Sequence, residues 1–136
     1  MPLIAWNESM SVGVKALDED HKRMVGMLNE LHDGIMLGQA KEALGRVLDG
    51  LVNYTQTHFA REEQLFSQAD YPGALAHKTE HNELTKRVMD LQMRYKNGAQ
   101  LALTLETVNF LKSWLLNHIQ ISDKRYGPHL NAKGIH

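Results

Sequence analysis

The most constraining feature of the sequence is the spacing of its apolar residues, which recur every three or four positions through most of the chain. This spacing is typical of amphipathic helices, and only three prolines, at positions 2, 72 and 128, interrupt it. Turn-forming residues break the pattern at Gly38–Ala40, Ala69–Gly73 and Asn97–Gly98. The sequence therefore predicts four helices, over about 18–37, 41–68, 74–96 and 101–126.

The short connections between these helices predict how the helices pack. Short turns force neighbouring helices to run antiparallel, so we expect an all-α, up-down-up-down four-helix bundle with an N-terminal arm and a short C-terminal tail. Asp18 is the predicted N-cap of the first helix. A chain of 136 residues suits one hydrophobic core, which predicts a single domain over residues 1–136.

The composition excludes several classes of function. Lys and Arg total 15 against 16 Asp and Glu, without a basic stripe, so binding to nucleic acid or anionic lipid is disfavoured. The start of the chain lacks a secretory signal and no window resembles a transmembrane segment, so we expect a cytoplasmic protein. The chain has no cysteine, which excludes thiolate chemistry but leaves histidine and carboxylate metal sites open.

Histidines cluster at one level of the predicted bundle. Four of the eight lie about 15 to 17 residues, or about 22 to 26 Å, from the end that carries the first and third turns: His21, His58, His81 and His118. His77 and Glu62 fall within about one further turn. A single buried histidine is more often a hydrogen-bonded core residue than a metal ligand, but five at one level on four helices indicate a metal site.

The spacing within the helices adds carboxylates to these imidazoles. His58 and Glu62, like His77 and His81, are four residues apart and share a helix face. Burying a polar group without a partner costs on the order of several kcal/mol. A metal ion bound by these side chains would remove that cost. A carboxylate can bridge two metals whereas an imidazole normally binds one, so many histidines with few carboxylates suggest a dinuclear centre.

Asp123 is the candidate for a second bridging carboxylate. It lies five residues after His118, which on a regular helix would separate the two side chains by about 140°. We therefore predict a π-bulge near Ile119–Ser122, a distortion that occurs frequently at functional sites.

Four motifs together resemble the single-domain bacterial hemerythrins over essentially the whole chain: WNESMSVGVKALDEDHK at 6–22, HFARE at 58–62, HKTEH at 77–81 and HIQISD at 118–123. The resemblance implies a four-helix bundle holding two iron ions per chain, joined by an oxo or hydroxo bridge, with dioxygen as the reversibly bound ligand. It assigns His77, His81 and His118 to one iron and His21 and His58 to the other. Glu62 and Asp123 would bridge the two ions, and the iron with two histidines would have the open position.

A dioxygen site also needs dry, apolar surroundings. Trp114 and Leu115 precede His118 on its helix face, and the W-L-x-x-H stretch belongs to the resemblance. Met24, Val25 and Leu28 share a face with His21, although ordinary core packing explains these three equally well or better. We predict that these five residues line the oxygen pocket.

The motif HKTEH also fits the H-x-x-E-H pattern of zinc proteases, with Glu80 as the general base. We reject that interpretation because it leaves the other histidines unexplained and because Glu80, adjacent to His81, should point away from the metal face. Glu80 is then either solvated, which we favour, or a partner that contacts a ligand residue from outside the metal site. No role is assigned to His32, about 16 Å along the axis, or to His129 and His136 in the tail.

Three functions fit a di-iron bundle. The favoured one is a dioxygen carrier or store that supplies an oxygen-consuming enzyme; a sensor acting through a partner is the second. A di-iron oxidase or peroxidase is the third, but such sites are rich in carboxylates and use Glu-x-x-His pairs, which the sequence lacks. We therefore expect a binding protein rather than an enzyme.

Overall fold

The computed structural model describes residues 4–97 and 100–136, except for the side chains of Ala40 and residues 100–106. The elements are a 3-10 helix Glu8–Met10, α1 Lys15–Met36, α2 Ala40–Ala69, α3 Ala74–Lys96, α4 Gln100–Asn117, a π-helix His118–Asp123 and α5 Lys124–Ala132. Right-handed helical backbone angles on both sides of the π-helix join α4, the π-helix and α5 into one rod. The predicted four-helix bundle is confirmed, and the predicted break at Gly98 lies outside the described residues.

The N-terminal boundary of α1 differs from the prediction. The helix begins at Lys15 after Val14, which makes no capping hydrogen bond with its side chain, so Asp18 is not the N-cap. The Asp18 carboxylate instead accepts hydrogen bonds from the Val12 N–H at 2.8 Å and the Ser11 hydroxyl at 2.6 Å. Because Asp18 lies in the first turn, its carboxylate reaches back and fastens the N-terminal arm to the bundle.

The C-terminal helix is longer than predicted. It continues to Ala132, so His129 lies in α5 rather than in a tail, and its Nε2–H donates to the carbonyl of Ala69 at 2.7 Å. A Cβ at Gly127 would lie 2.2 Å from the carbonyl oxygen of Val12. Glycine at this position therefore allows the N-terminal arm to pack directly against α5.

Two apolar clusters enclose the polar layer of the bundle. The larger cluster includes Met24 and fills the space between the helices, whereas the smaller one includes Leu17, Phe66 and Tyr126. Along α1, His21 lies between Leu17 and Met24, so the histidine layer is sealed by apolar side chains above and below. No helix in the described part of the chain is long and apolar enough to cross a membrane.

Candidate metal centre

All seven predicted ligand residues lie in one buried layer. The exposed fraction of each is 5% or less, and they come from four segments: His21 from α1, His58 and Glu62 from α2, His77 and His81 from α3, and His118 and Asp123 from the π-helix. The helical spacings explain this convergence, because residues four apart on α2 and on α3 share one face.

The first group of ligand atoms combines three histidines with Glu62. Nitrogen and oxygen atoms of Glu62, His77, His81 and His118 all lie within 4.8 Å of one another. His81 Nε2 is 3.0 Å from Glu62 Oε1, and His77 Nε2 is 3.8 Å from the same oxygen. Asp123 Oδ1 also faces this group, at 2.8 Å from His77 Nε2 and 3.0 Å from His118 Nε2.

The second group contains two histidines and both carboxylates, His21, His58, Glu62 and Asp123, again within 4.8 Å of one another. Asp123 Oδ2 lies 2.8 Å from His21 Nε2, so the two oxygens of this carboxylate face the two groups. Glu62 lies 3.3 Å from His58 Nε2 through Oε1 and 4.0 Å from His21 Nε2 through Oε2. The two groups are therefore joined through their carboxylates.

The π-helix brings His118 and Asp123 to the same side of the rod formed by α4, the π-helix and α5. It spans both residues, which confirms the predicted bulge. In a π-turn the hydrogen bond closes five residues apart, so side chains at this spacing are brought over one another. A regular α-helix would have directed Asp123 away from the layer.

The donor set fits metal ions. The Nε2 atoms of the five histidines, Glu62 Oε1 and both oxygens of Asp123 are buried and form no hydrogen bond. Each such group leaves a cost of about 1–3 kcal/mol unless it finds a partner. Imidazole and carboxylate donors at this separation suit first-row transition metals, and the two groups offer places for two ions.

The electrostatics of the layer couple metal binding to protons. Burial lowers the pKa of His58, but the charge of Glu62 and the hydrogen bond to Asp20 outweigh it and raise the pKa to about 10. For His77, contacts with Asp123 and Glu62 outweigh burial and raise the pKa to about 9. Because a metal needs the neutral imidazole, binding must displace protons and becomes stronger as pH rises.

Comparison with known proteins identifies the family of this chain. Residues 12–130 match the family described as "Hemerythrin HHE cation binding domain". The chain belongs to the hemerythrin family. It is 36% identical to a bacteriohemerythrin of Stenotrophomonas maltophilia over 132 residues, covering 97% of this chain and 84% of that protein. A bacteriohemerythrin of Methylococcus capsulatus is also 36% identical, over 97% of this chain and 100% of its own length.

A solved hemerythrin structure has the same fold. The crystal structure of a wild-type hemerythrin superposes with a TM-score of 0.84 at 35% identity, covering 94% of this chain and 98% of that one. The four-helix architecture of this chain is therefore that of a hemerythrin.

Carboxylates and a tyrosine outside the candidate ligand layer contact the predicted ligand side chains. The Nδ1 atoms of three predicted ligand histidines face carboxylates: His58 faces Asp20 at 2.8 Å, His81 faces Glu63 at 3.3 Å and His118 faces Glu80 at 3.5 Å. The Tyr126 hydroxyl donates to Glu62 Oε2. These contacts orient the predicted ligand side chains through the atoms that face away from the two donor groups.

Three of these partners were not identified from the sequence. Asp20 and Glu63 are adjacent in sequence to the ligand residues His21 and Glu62, and Tyr126 lies one turn after Asp123, so proximity was their only signal. For Glu80 the solvated state was favoured over contact with a ligand residue. Its side chain is 43% exposed, yet it accepts the Ser122 hydroxyl at 2.9 Å and faces His118, as in the less favoured alternative.

A small apolar cavity of about 20 Å³ adjoins the hemerythrin ligand layer. Its lining includes Met24, Leu28, Thr55, Leu84, Trp114 and Leu115. Four of these residues lie three positions from a ligand histidine on their own helix, so the cavity is one turn from the layer. Val25 is buried in the core and does not line the cavity, and the Trp114 ring stacks on His118 with centroids 4.3 Å apart.

Proposed function

We propose that the protein binds dioxygen reversibly at a di-iron centre and serves to store it or deliver it. His77, His81 and His118 would hold one iron, and His21 and His58 the other. Glu62 and Asp123 would bridge the two ions, with an oxo or hydroxo group completing the bridge. Two ferrous ions, when bound, supply the electrons for reversible dioxygen binding.

One observation carries this proposal: two groups of buried, unpartnered donor atoms are joined by shared carboxylates. The two oxygens of Asp123 lie 2.8 Å from His77 Nε2 and 2.8 Å from His21 Nε2. A carboxylate with one oxygen toward each group suits a bridge between two ions, whereas a single ion could not use all five imidazoles. The unequal groups leave the two-histidine ion with fewer protein ligands and hence an open position.

The cavity supports a small, apolar ligand. About 10–15 Å³ is needed to hold one water molecule, so a cavity of about 20 Å³ suits one diatomic gas molecule and no organic substrate. Its lining offers water few hydrogen-bond partners, because the only hydroxyl among the named lining side chains, that of Thr55, donates to the Leu51 carbonyl. A dry site without a nearby acid favours release of bound dioxygen over its reduction. We therefore infer a binding role rather than catalysis.

Delivery to an oxygen-consuming enzyme and a cytoplasmic location stay predictions from the sequence and its resemblance. A sensor acting through a partner and a di-iron oxidase or peroxidase are the competing roles, and the experiment below separates them from a carrier.

The test is a cycle of oxygenation on the iron-loaded protein. The protein is purified with iron, reduced without oxygen, exposed to air and then depleted of oxygen, while metal content and visible absorption are followed. We expect two irons per chain and an absorption band that appears with air and disappears on depletion. His81→Ala should lose iron, whereas His32→Ala, a histidine outside the layer, should retain two irons.

Three results would contradict the proposal. One zinc per chain with no bound iron would overturn the di-iron centre. Irreversible conversion to the ferric form on first contact with air would favour a redox sensor or an oxidase. Iron retention in the His81→Ala protein equal to that of His32→Ala would remove the assigned ligand set.

A further inference from the structure

Asp20 is a buried carboxylate that the ligand layer does not use. Asp20 is 5% exposed. Among the described residues, the only other buried carboxylates are those of Glu62 and Asp123. An ionised carboxylate in such a place is costly unless donors surround it. Its partners therefore indicate what it does.

Three side chains of one α2 face hold Asp20. The Tyr54 hydroxyl donates to Oδ1 at 2.7 Å, Arg61 donates through one nitrogen to both oxygens at 3.0 Å, and His58 Nδ1 lies 2.8 Å from Oδ2. Tyr54, His58 and Arg61 are spaced by four and three residues, so they share a face of α2. Donors on both sides of the histidine fix the carboxylate in front of its ring.

This arrangement determines which nitrogen of His58 faces the metal layer. A carboxylate only accepts hydrogen bonds, so His58 Nδ1 must carry the proton and donate it. The lone pair of the neutral ring then lies on Nε2, the atom that faces Glu62 at 3.3 Å. Asp20 thus fixes both the tautomer and the orientation of the ring.

The corresponding contacts of His21, His81 and His118 are weaker or absent, with His118 Nδ1 at 3.5 Å from Glu80. The Glu63 contact with His81 is longer, at 3.3 Å, and the Glu63 side chain is 31% exposed. His21 Nδ1 is buried and has no hydrogen-bond partner. The two-histidine group therefore depends on Asp20 more than the three-histidine group depends on any one carboxylate.

Asp20 also acts on His21 through the backbone. The two residues are consecutive on α1, so anchoring Asp20 on α2 fixes the rotation of α1 that aims His21 inward. The rings of His21 and His58 pack edge to face with centroids 4.8 Å apart, so each restricts the other.

We propose that Asp20 is the positioning residue of the two-histidine group, orienting His58 through its imidazole and His21 through the adjoining backbone. The inference rests on the two-metal site proposed above. On this inference, Asp20 positions the two histidines that would hold the ion with the open position. The three histidines of the other group are positioned without Asp20.

The test uses Co²⁺ binding to the metal-free chain of residues 1–136, titrated against a competing chelator. The wild type should bind two Co²⁺ ions. Asp20→Ala should weaken one of the two binding steps about 10- to 100-fold and leave the other within about twofold, as losses of such supporting contacts do. Asp20→Asn, which keeps an oxygen for His58 Nδ1, should recover most of the lost affinity.

Two variants separate positioning from general destabilisation. Glu63→Gln, which alters the comparable contact of His81, should spare the step that Asp20→Ala weakens. Tyr54→Phe removes a donor to Asp20 without touching His58 and should weaken the same step by a smaller factor. The exchangeable Nδ1–H signal of His58 in the proton NMR spectrum of the Co²⁺ form should exchange faster in Asp20→Ala.

Each outcome decides the inference. Unchanged affinities in Asp20→Ala, or equal weakening of both steps, would overturn it. If Asp20→Ala does not fold, Tyr54→Phe and Asp20→Asn decide, and wild-type binding by Tyr54→Phe would overturn the inference. A wild type that binds fewer than two ions would instead contradict the proposed dinuclear site.

Discussion

The Tyr126 hydroxyl supports the bridging carboxylate Glu62, and its removal gives a measurable loss of stability. Tyr126 and Glu62 are both 0% exposed, and the hydroxyl donates to Glu62 Oε2. Burial, together with the charges of Asp123 and Glu62, raises the pKa of Tyr126 well above its usual value, so the hydroxyl stays protonated as a donor. Tyr126→Phe removes this one donor and little volume.

The expected loss follows from the charge of the acceptor. Hydrogen bonds to charged groups contribute about 1.5–3 kcal/mol, and Glu62 Oε2 would be left buried without that donor. With an m-value of about 1.5 kcal/mol per molar urea, the unfolding midpoint of the metal-free protein should fall by about 1–2 M. The assay is equilibrium urea unfolding of the metal-free protein, followed by far-UV circular dichroism.

Tyr95→Phe is the matched control. It removes the same group, but the Tyr95 hydroxyl donates to the neutral carbonyl of Lys41 at an exposed position, at 2.8 Å. Water can replace that bond, so we expect a loss of about 0.5 kcal/mol. A Tyr126→Phe midpoint that falls no further than that of Tyr95→Phe would refute the assigned support of Glu62.

The pKa values of His58, about 10, and His77, about 9, are raised in the folded metal-free protein. Their contribution to stability is fully present below about pH 6.5, the pKa of a histidine in the unfolded chain. The urea midpoint of the metal-free protein should therefore fall from about pH 6.5 through pH 9–10, and a flat profile would contradict this. Gly127→Ala should lower the Tm, because its methyl group would meet a backbone carbonyl of the N-terminal arm. Gly26→Ala is the control: its Cβ has open space around it, so the free energy of unfolding should rise by about 0.5–1 kcal/mol. Leu115→Ala should lower the free energy of unfolding by about 2–5 kcal/mol and admit water to the cavity. The air-dependent absorption of the iron-loaded protein should then decay faster than in the wild type. Unchanged decay would contradict the water-excluding role of Leu115.

The fold and the ligand layer were predictable because they depend on regular helical geometry. Spacings of four place His58 with Glu62 and His77 with His81, whatever the neighbouring helices do. The five-residue spacing of His118 and Asp123 was informative for the opposite reason: it does not fit an α-helix, so it predicted the π-helix that the structure contains.

The predicted helix boundaries were wrong where contacts outside the predicted helices compete with local signals. Asp18 is a residue type typical of an N-cap, but α1 begins three residues earlier and the Asp18 carboxylate accepts hydrogen bonds from the N-terminal arm. His129 was placed in a tail because the fourth helix was predicted to end at about Tyr126, yet its hydrogen bond to Ala69 helps to hold α5 on α2. Neither contact has a local sequence pattern.

The sequence by itself determined the helices, the level at which the imidazoles meet and the family resemblance, since periodicity and motif spacing are properties of the chain alone. The tertiary structure decided which groups stand behind the ligands. Asp20 and His58 are 38 residues apart, and Tyr126 and Glu62 are 64 apart. Such contacts depend on the rotation and offset of one packed helix relative to another, which one-dimensional spacing does not specify.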